Sequence, residues 1–457
     1  SIINNRHILP PLSLGEGSGV RLYIMNKKLF TQIRNEWRSN FFLALELLVV
    51  FVVLWYIVDW CCTTARVYFA PMGFDTEHCY NLTMNRLTPN SALYEEGHTA
   101  EDDMDALLEI AERLRHRPGV EAVAISQNSV PYNNGSNGIE TFVDTVSVYA
   151  MLRLVQPDFM RLFRIRGVAV QDAGGKTVQT ASPDSLAAVL GPGTMILSRN
   201  VTAKYEELNM ADATPLLGRQ LPLWEQDSDS RLRVAGIAEP MRWNHFTTAD
   251  QWGGPFLATD FPREAMVQYE NPAYLQLSLR VTPEADHGFV DALMADVDRL
   301  YRVGNVYILD VQPFTQLRYI SELEDVNEVR TQLCILGFLL LNIFLGVIGT
   351  FWFRTQHRRQ EVALRMAMGS TRRGIFLRLI TEGLLLLTLA AVPATVIALN
   401  IGVAELVDVS RLPFDTLRFL FALVLSWLLM ALMIVVGVWY PARRAMKVQP
   451  AEALHDE

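Results

Sequence analysis

The chain is 457 residues long, half of them hydrophobic and 19% charged. That balance is near the soluble average, so composition excludes only collagen, low-complexity disorder and, with four cysteines, a disulfide scaffold. The formal net charge of −9 is uneven: residues 59–330 carry −16 and the remainder +7. An acidic centre of that size would repel phosphate, which argues against nucleic acid as a partner.

Four apolar runs hold much of the hydrophobicity: Phe41–Val58, Leu333–Phe353, Gly383–Leu399 and Leu417–Tyr440. Each is near or above the ~18 apolar residues that cross a bilayer. They exclude a plain cytosolic enzyme and predict an α-helical integral membrane protein. Its four transmembrane helices, one and then three, enclose a large α+β extracytoplasmic domain between the first and second. Spans are expected at 41–60, 331–353, 375–402 and 417–440. The outward domain takes 61–330, with an inserted subdomain at about 155–265. A short external loop covers 403–416, and cytoplasmic pieces cover 25–40, 354–374 and 441–457.

Orientation follows the basic residues. Lys27, Lys28, Arg34 and Arg38 precede span one; Arg354, Arg358, Arg359, Arg365, Arg372, Arg373 and Arg378 lie around the second loop; Arg443, Arg444 and Lys447 follow span four. The loop between spans three and four sets Arg411 and Arg418 against Glu405, Asp408 and Asp415. Both termini should face the cytoplasm of a cell inner membrane, with the acidic domain outside. Span one is too long for a cleaved signal peptide and reads as a retained anchor. Residues 1–24 read as a disordered extension ahead of a start at Met25.

In chain order, Thr99–Arg117 is an amphipathic helix, with Met104, Leu107, Leu108, Ala111 and Leu114 on one face and Pro118-Gly119 as its stop. Strands are expected at Val120–Ile125, Phe142–Leu154, Gly193–Ser198, Leu232–Ile237, Tyr274–Val281 and Val306–Val311. Helices are expected at Pro157–Phe163, Asn200–Leu208 and Phe289–Tyr301. The alternation is not doubly wound, so the domain is mixed α+β.

Chemical motifs are weak. Gly174-Gly175-Lys176-Thr177 has Val170 where a phosphate loop needs its first glycine, and reads as a polar turn. His78, His98, His116, His245 and His287 are scattered and read as surface residues. No catalytic, metal or cofactor site is assigned. Cys334 reads as a packing residue, and Cys61 or Cys62 could pair with Cys79 or all three could be small hydrophobes. The intramembrane polar residues are Glu46, Asn342 and Glu382, too few for a hydrophilic path.

The loop between spans two and three is the most informative. On a helix over 356–368, Arg358, Glu361 and Arg365 share one face, and Val362, Ala363, Met366 and Ala367 form an apolar stripe. Gly369 ends that helix, and Ser370 or Thr371 can cap the next. Two readings fit: a membrane-surface helix held by anionic lipid, or a docking helix for a cytoplasmic partner.

The stretch from Arg359 through Glu361, Arg365, Gly369 and Arg372 to Arg373 resembles the MacB/FtsX-like ABC transporter permeases. So does the tail Tyr440-Pro441-Ala442-Arg443-Arg444 through Pro450 to Leu454. Asp158–Phe163 and Arg231–Ile237 are similar to segments of the MacB outward domain. The resemblance implies a non-catalytic permease subunit with Arg358, Arg359, Glu361, Arg365, Met366, Gly369, Arg372 and Arg373 on the ATPase-coupling surface. It implies a separate cytoplasmic ATPase that binds ATP and Mg²⁺, a second permease, lipid contacts, and in some systems a periplasmic adaptor and outer-membrane channel. The implied action is mechanotransmission, in export or lipoprotein release. The alternative is an FtsX-like regulator that activates a periplasmic enzyme without transport.

Overall fold

The computed structural model describes residues 37–133, 135–357, 368 and 371–445. Two compact units result, one within residues 64–328 and one of the described residues before 64 and after 328. The principal helices are α1 (Trp37–Tyr68), α2 (Ala100–Arg115), α3 (Asp158–Leu162), α4 (Pro183–Val189), α5 (Phe289–Leu300), α6 (Phe314–Ser321), α7 (Leu323–His357), α8 (Arg372–Val403) and α9 (Thr416–Ala445).

In the helical unit, α1, α7, α8 and α9 are each long and apolar enough to cross a membrane. Leu43, Leu47, Phe51, Leu54, Trp55 and Val58 recur at helical spacing along α1 and bury one face. The same core takes Leu387, Ala390, Ala394 and Ala398 from α8 and Ala422, Met430 and Ile434 from α9. The closest approach among these helices is between α8 and α9, and small residues let backbones approach where water supplies no drive. By contrast, Ile343 is the one buried hydrophobic residue on α7 among the described residues. Thr371 caps α8, its hydroxyl accepting from the Gly374 amide at 3.1 Å.

The second unit is an α+β domain lying in sequence between the first and second apolar helices. Its strands are β1 (Cys79–Arg86), β2 (Val120–Gln127), β3 (Asn137–Val143), β4 (Val146–Val155), β5 (Gly167–Gln171), β6 (Thr177–Gln179) and β7 (Thr194–Ser198). They continue with β8 (Gln220–Pro222), β9 (Arg231–Ala238), β10 (Phe256–Asp260), β11 (Gln276–Val281), β12 (Arg302–Val303) and β13 (Val306–Pro313). The sheet order is β12-β13-β1-β11-β2-β4-β10-β7-β9-β5-β6, with β3 on β4 and β8 on β9. Only β4–β10 and β7–β9 are parallel among the described pairs. One apolar core packs α2 and α5 against β1, β2, β11 and β13. A second gathers α3 and α4 around Phe159, Phe163 and Phe314. A third joins β3, β4, β7 and β9.

Local chemistry explains where these elements begin. Thr99 and Asp102 form a reciprocal capping box at α2, whose buried face is Met104, Leu107, Ile110, Ala111 and Leu114. Two expectations fail. The single strand over Phe142–Leu154 is a hairpin, because Asp144 takes φ +56 and turns the chain in two residues without a glycine. The helix over Asn200–Leu208 is two 3₁₀ turns, Arg199–Thr202 and Glu206–Leu208. There the Asn200 amide reaches away to Ala249 O and Asp250 Oδ1, at 2.7 and 2.9 Å. All four cysteines are free thiols.

Candidate functional site

The α+β unit grips its own two chain ends. The buried Arg242 follows β9 on a loop, and its guanidinium donates to four backbone carbonyls. These are Val67 and Ala70, both at 2.6 Å, His245 at 2.7 Å and Thr247 at 2.8 Å. A planar fork with five N–H groups suits such a cage. Burial lowers the Arg242 pKa, and the nearby Glu322 carboxylate works against that. Beneath it, Gly73 lies so close to Pro240 that a Cβ would sit 2.1 Å from the carbonyl oxygen.

The same loop holds the other chain end through His245. Glu322, 3% exposed, accepts from the His245 amide at 2.8 Å, from its Nδ1 at 2.6 Å and from Arg318 Nε at 3.0 Å. Arg318 also donates to the Tyr68 hydroxyl at 2.7 Å. The Tyr132 ring lies parallel to the His245 ring at 6.0 Å, and Tyr68 packs at 5.3 Å. Asn244 reaches Asp325 at 3.3 Å. Burial pushes the Glu322 carboxyl up, but the hydrogen bonds from His245 and Arg318 outweigh it and hold it below the ordinary range. Burial and the Glu322 charge both raise the Tyr132 phenol.

This clasp joins residues 67–72, 242–247 and 318–325 in one hydrogen-bonded network. It has neither a nucleophile paired with a base nor an open metal position. Among the described residues no group of three His, Cys, Asp or Glu could hold a metal ion. Its hydrogen bonds tie the two chain ends of the unit to one loop.

A second network lies inside the helical unit. Arg418 in the first turn of α9 makes a bidentate pair with Asp59 of α1, at 2.9 and 2.6 Å. It also donates to the carbonyls of Asp408 at 3.0 Å and Leu412 at 2.6 Å. Arg418, expected as a loop charge, is therefore a buried helix residue, and Arg411 keeps to Asp408 at 3.4 Å.

Of the expected coupling residues, Arg358, Arg359, Glu361, Arg365, Met366 and Gly369 lie outside the described residues. Arg372 and Arg373 open α8. Glu46 is on α1, its carboxylate near Gly346 of α7. Asn342 bonds back to Phe338 O at 2.8 Å within its own helix. Glu382 is buried on α8. The structure brings none of these three together in one described network. The sequence reading missed Arg242, Glu322 and the role of His245. Asp59 and Arg418 did carry a signal, as charges of opposite sign at the ends of two apolar runs.

Residues 333–450 match the family described as FtsX-like permease C-terminal. The chain carries an FtsX-like permease domain. That domain spans the apolar part of α7 with α8 and α9, and covers the loop motif and the tail motif as far as Pro450. No curated protein matches the chain. One similar solved structure is a domain of a permease protein from Porphyromonas gingivalis, with 16% identity and a TM-score of 0.32, covering 53% of this chain and 92% of that one. Another is the extracellular domain of the noncanonic ABC-type transporter YknZ from Gram-positive bacteria, with 13% identity and a TM-score of 0.28, covering 50% and 100%. Scores this low assign no fold to the α+β unit.

Proposed function

We propose that this chain is the non-catalytic permease subunit of an ATP-binding cassette transporter of the MacB/lipoprotein-release type. The permease domain over residues 333–450 carries this reading. A separate cytoplasmic ATPase binds ATP and Mg²⁺ and docks on the 354–374 loop. Both termini lie in the cytoplasm and residues 61–330 outside. ATP-driven motion of the loop passes through α7 and α8 and reaches the α+β unit, whose clasp shares it between the two chain ends. A second permease covers apolar surface that α7 leaves open. Supporting this mechanical route, the sequence places few ionisable residues inside the apolar runs, and Arg242 and Glu322 of the clasp are buried. On a helix a Glu361–Arg365 pair at i, i+4 would be worth only ~0.3–0.5 kcal/mol, so we place the value of these two residues in partner contact.

The test is copurification with the ATPase, followed by hydrolysis assays. The chain alone should hydrolyse nothing and the complex should. Glu361→Arg, Arg365→Glu or Gly369→Val should leave the permease inserted and dimeric but lower ATPase binding or coupled hydrolysis. Normal binding and function in all three would reduce the loop to a membrane-surface helix. Cysteine labelling from outside should reach sites near Ser230 and Arg411 and miss Thr371 and His455. Labelling at Thr371 would overturn the topology.

A further inference from the structure

The α+β unit contains a groove of about 750 Å³ that the clasp does not use. It exists because two cores stop short of each other across β4. Leu154, Ala265 and Tyr269 are the half-buried margin of the core around α2. Leu152 and Leu232 are the half-buried margin of the core around β7 and β9. Between them the apolar floor stays uncovered. Its volume falls within the ~300–1,000 Å³ range of small-molecule sites.

The lining is chemically one-sided. Among the described residues it includes one charged group, Asp260, and no Lys, Arg or His. Asp260 Oδ1 accepts from the Phe261 amide at 2.9 Å, and no cation among the described residues pairs with the carboxylate. Burial raises its pKa. At the rim stands Trp224, 59% exposed, held by its amide to Glu140 O at 2.9 Å. Each part of this lining selects. An anion would meet a carboxylate with no counter-charge. A neutral apolar molecule would desolvate that carboxylate without compensation. A cation would pair with it, while the Trp224 and Tyr269 rings offer further attraction to positive charge.

We propose that this groove is a binding site for an apolar monocation, its charge beside Asp260 and its body over Leu152, Leu154 and Leu232. The site stands whether or not an ATPase partners this chain, since binding needs neither ATP nor turnover.

Two probes of one shape and opposite charge make the test: tetraphenylphosphonium and tetraphenylborate. Full chain in zwitterionic phosphatidylcholine nanodiscs is dialysed against each, with empty nanodiscs subtracted. The expected result is saturable excess binding of the cation, one per chain, and none of the anion. Asp260→Asn, which keeps the acceptor for the Phe261 amide, should weaken cation binding at least tenfold with no loss of melting temperature. Leu154→Trp, which fills the floor, and Trp224→Ala, a truncation at an exposed position, should weaken it as well. Equal excess of cation and anion overturns the proposal, as does cation binding no greater than empty discs. Unchanged affinity in Asp260→Asn and Trp224→Ala also overturns it.

Discussion

Arg418 on the last apolar helix holds both carboxylate oxygens of Asp59 on the first, with side chains 7% and 2% exposed. The pair spans 359 residues of sequence and also pins the loop before α9 through the Asp408 and Leu412 carbonyls. Removing one partner strands the other charge, at a cost of about 3–5 kcal/mol. Asp59→Leu or Arg418→Met should each lower the unfolding midpoint of the purified chain. The double variant should recover a large part of the loss. Additive losses would show that the pair contributes nothing as a pair, and that the loop carbonyls carry Arg418's whole effect.

Arg242→Lys keeps the charge and removes the fork. An ammonium has three donors for four carbonyls, at the end of a different reach. At least one buried acceptor is left bare, and each costs about 1–3 kcal/mol. The melting temperature should fall, and amide hydrogen exchange should quicken at the Arg242 amide, whose acceptor is Met72 O, and across His245–Thr247. An unchanged melting temperature and exchange pattern would mean the cage holds nothing.

What was legible in the sequence followed short-range rules. The apolar runs of α1, α8 and α9, the apolar face of the helix after Thr99 and the Gly119 stop all act within a few residues. The Asp144 hairpin was missed because its positive φ falls on a residue that tolerates it without announcing it. Central strand β10, five residues long, has too few positions for a period and is defined by its neighbours β4 and β7. The clasp was hidden for another reason. His245 and Glu322 are 77 residues apart, and nothing local separates a buried histidine from a surface one. The coupling loop rested on resemblance to a family, and the match over 333–450 supports that resemblance without reaching the role of any single residue.

Gly73 and Gly97 separate strain from contact. Both are left-handed, at φ +81 and +86. A Cβ on Gly97 would meet nothing within 4 Å, whereas one on Gly73 would strike Pro240 O at 2.1 Å and Met241 Cα at 3.0 Å. Gly97→Ala should cost only the backbone preference, about 1–2 kcal/mol. Gly73→Ala carries that cost and must also push aside the strand exit that leads to Arg242. Its loss of stability should be clearly the larger, with faster exchange across the clasp. Equal losses would show that the Pro240 segment moves aside freely.

Glu322 makes the clasp sensitive to acid, and the sign follows from its direction of shift. Burial alone would raise its pKa, yet the His245 and Arg318 hydrogen bonds bring the net shift below the ordinary value. A carboxyl lowered in the folded state adds stability that is complete above its unfolded value, ~4.3. That contribution disappears as pH falls through the folded value, because the folded chain must then take up the proton it had excluded. Glu322→Gln cannot ionise and lacks this contribution at every pH. Wild type should therefore melt above the variant at pH 5, and the gap should narrow steadily toward pH 3. Tyr132, Arg242, Arg318 and Asp325 are common to both proteins, so their own titrations cancel to first order. Melting curves at half-unit intervals would show it. A gap that stays constant down to pH 3 would mean that Glu322 acts through hydrogen-bond geometry alone, with the charge contributing nothing to the clasp.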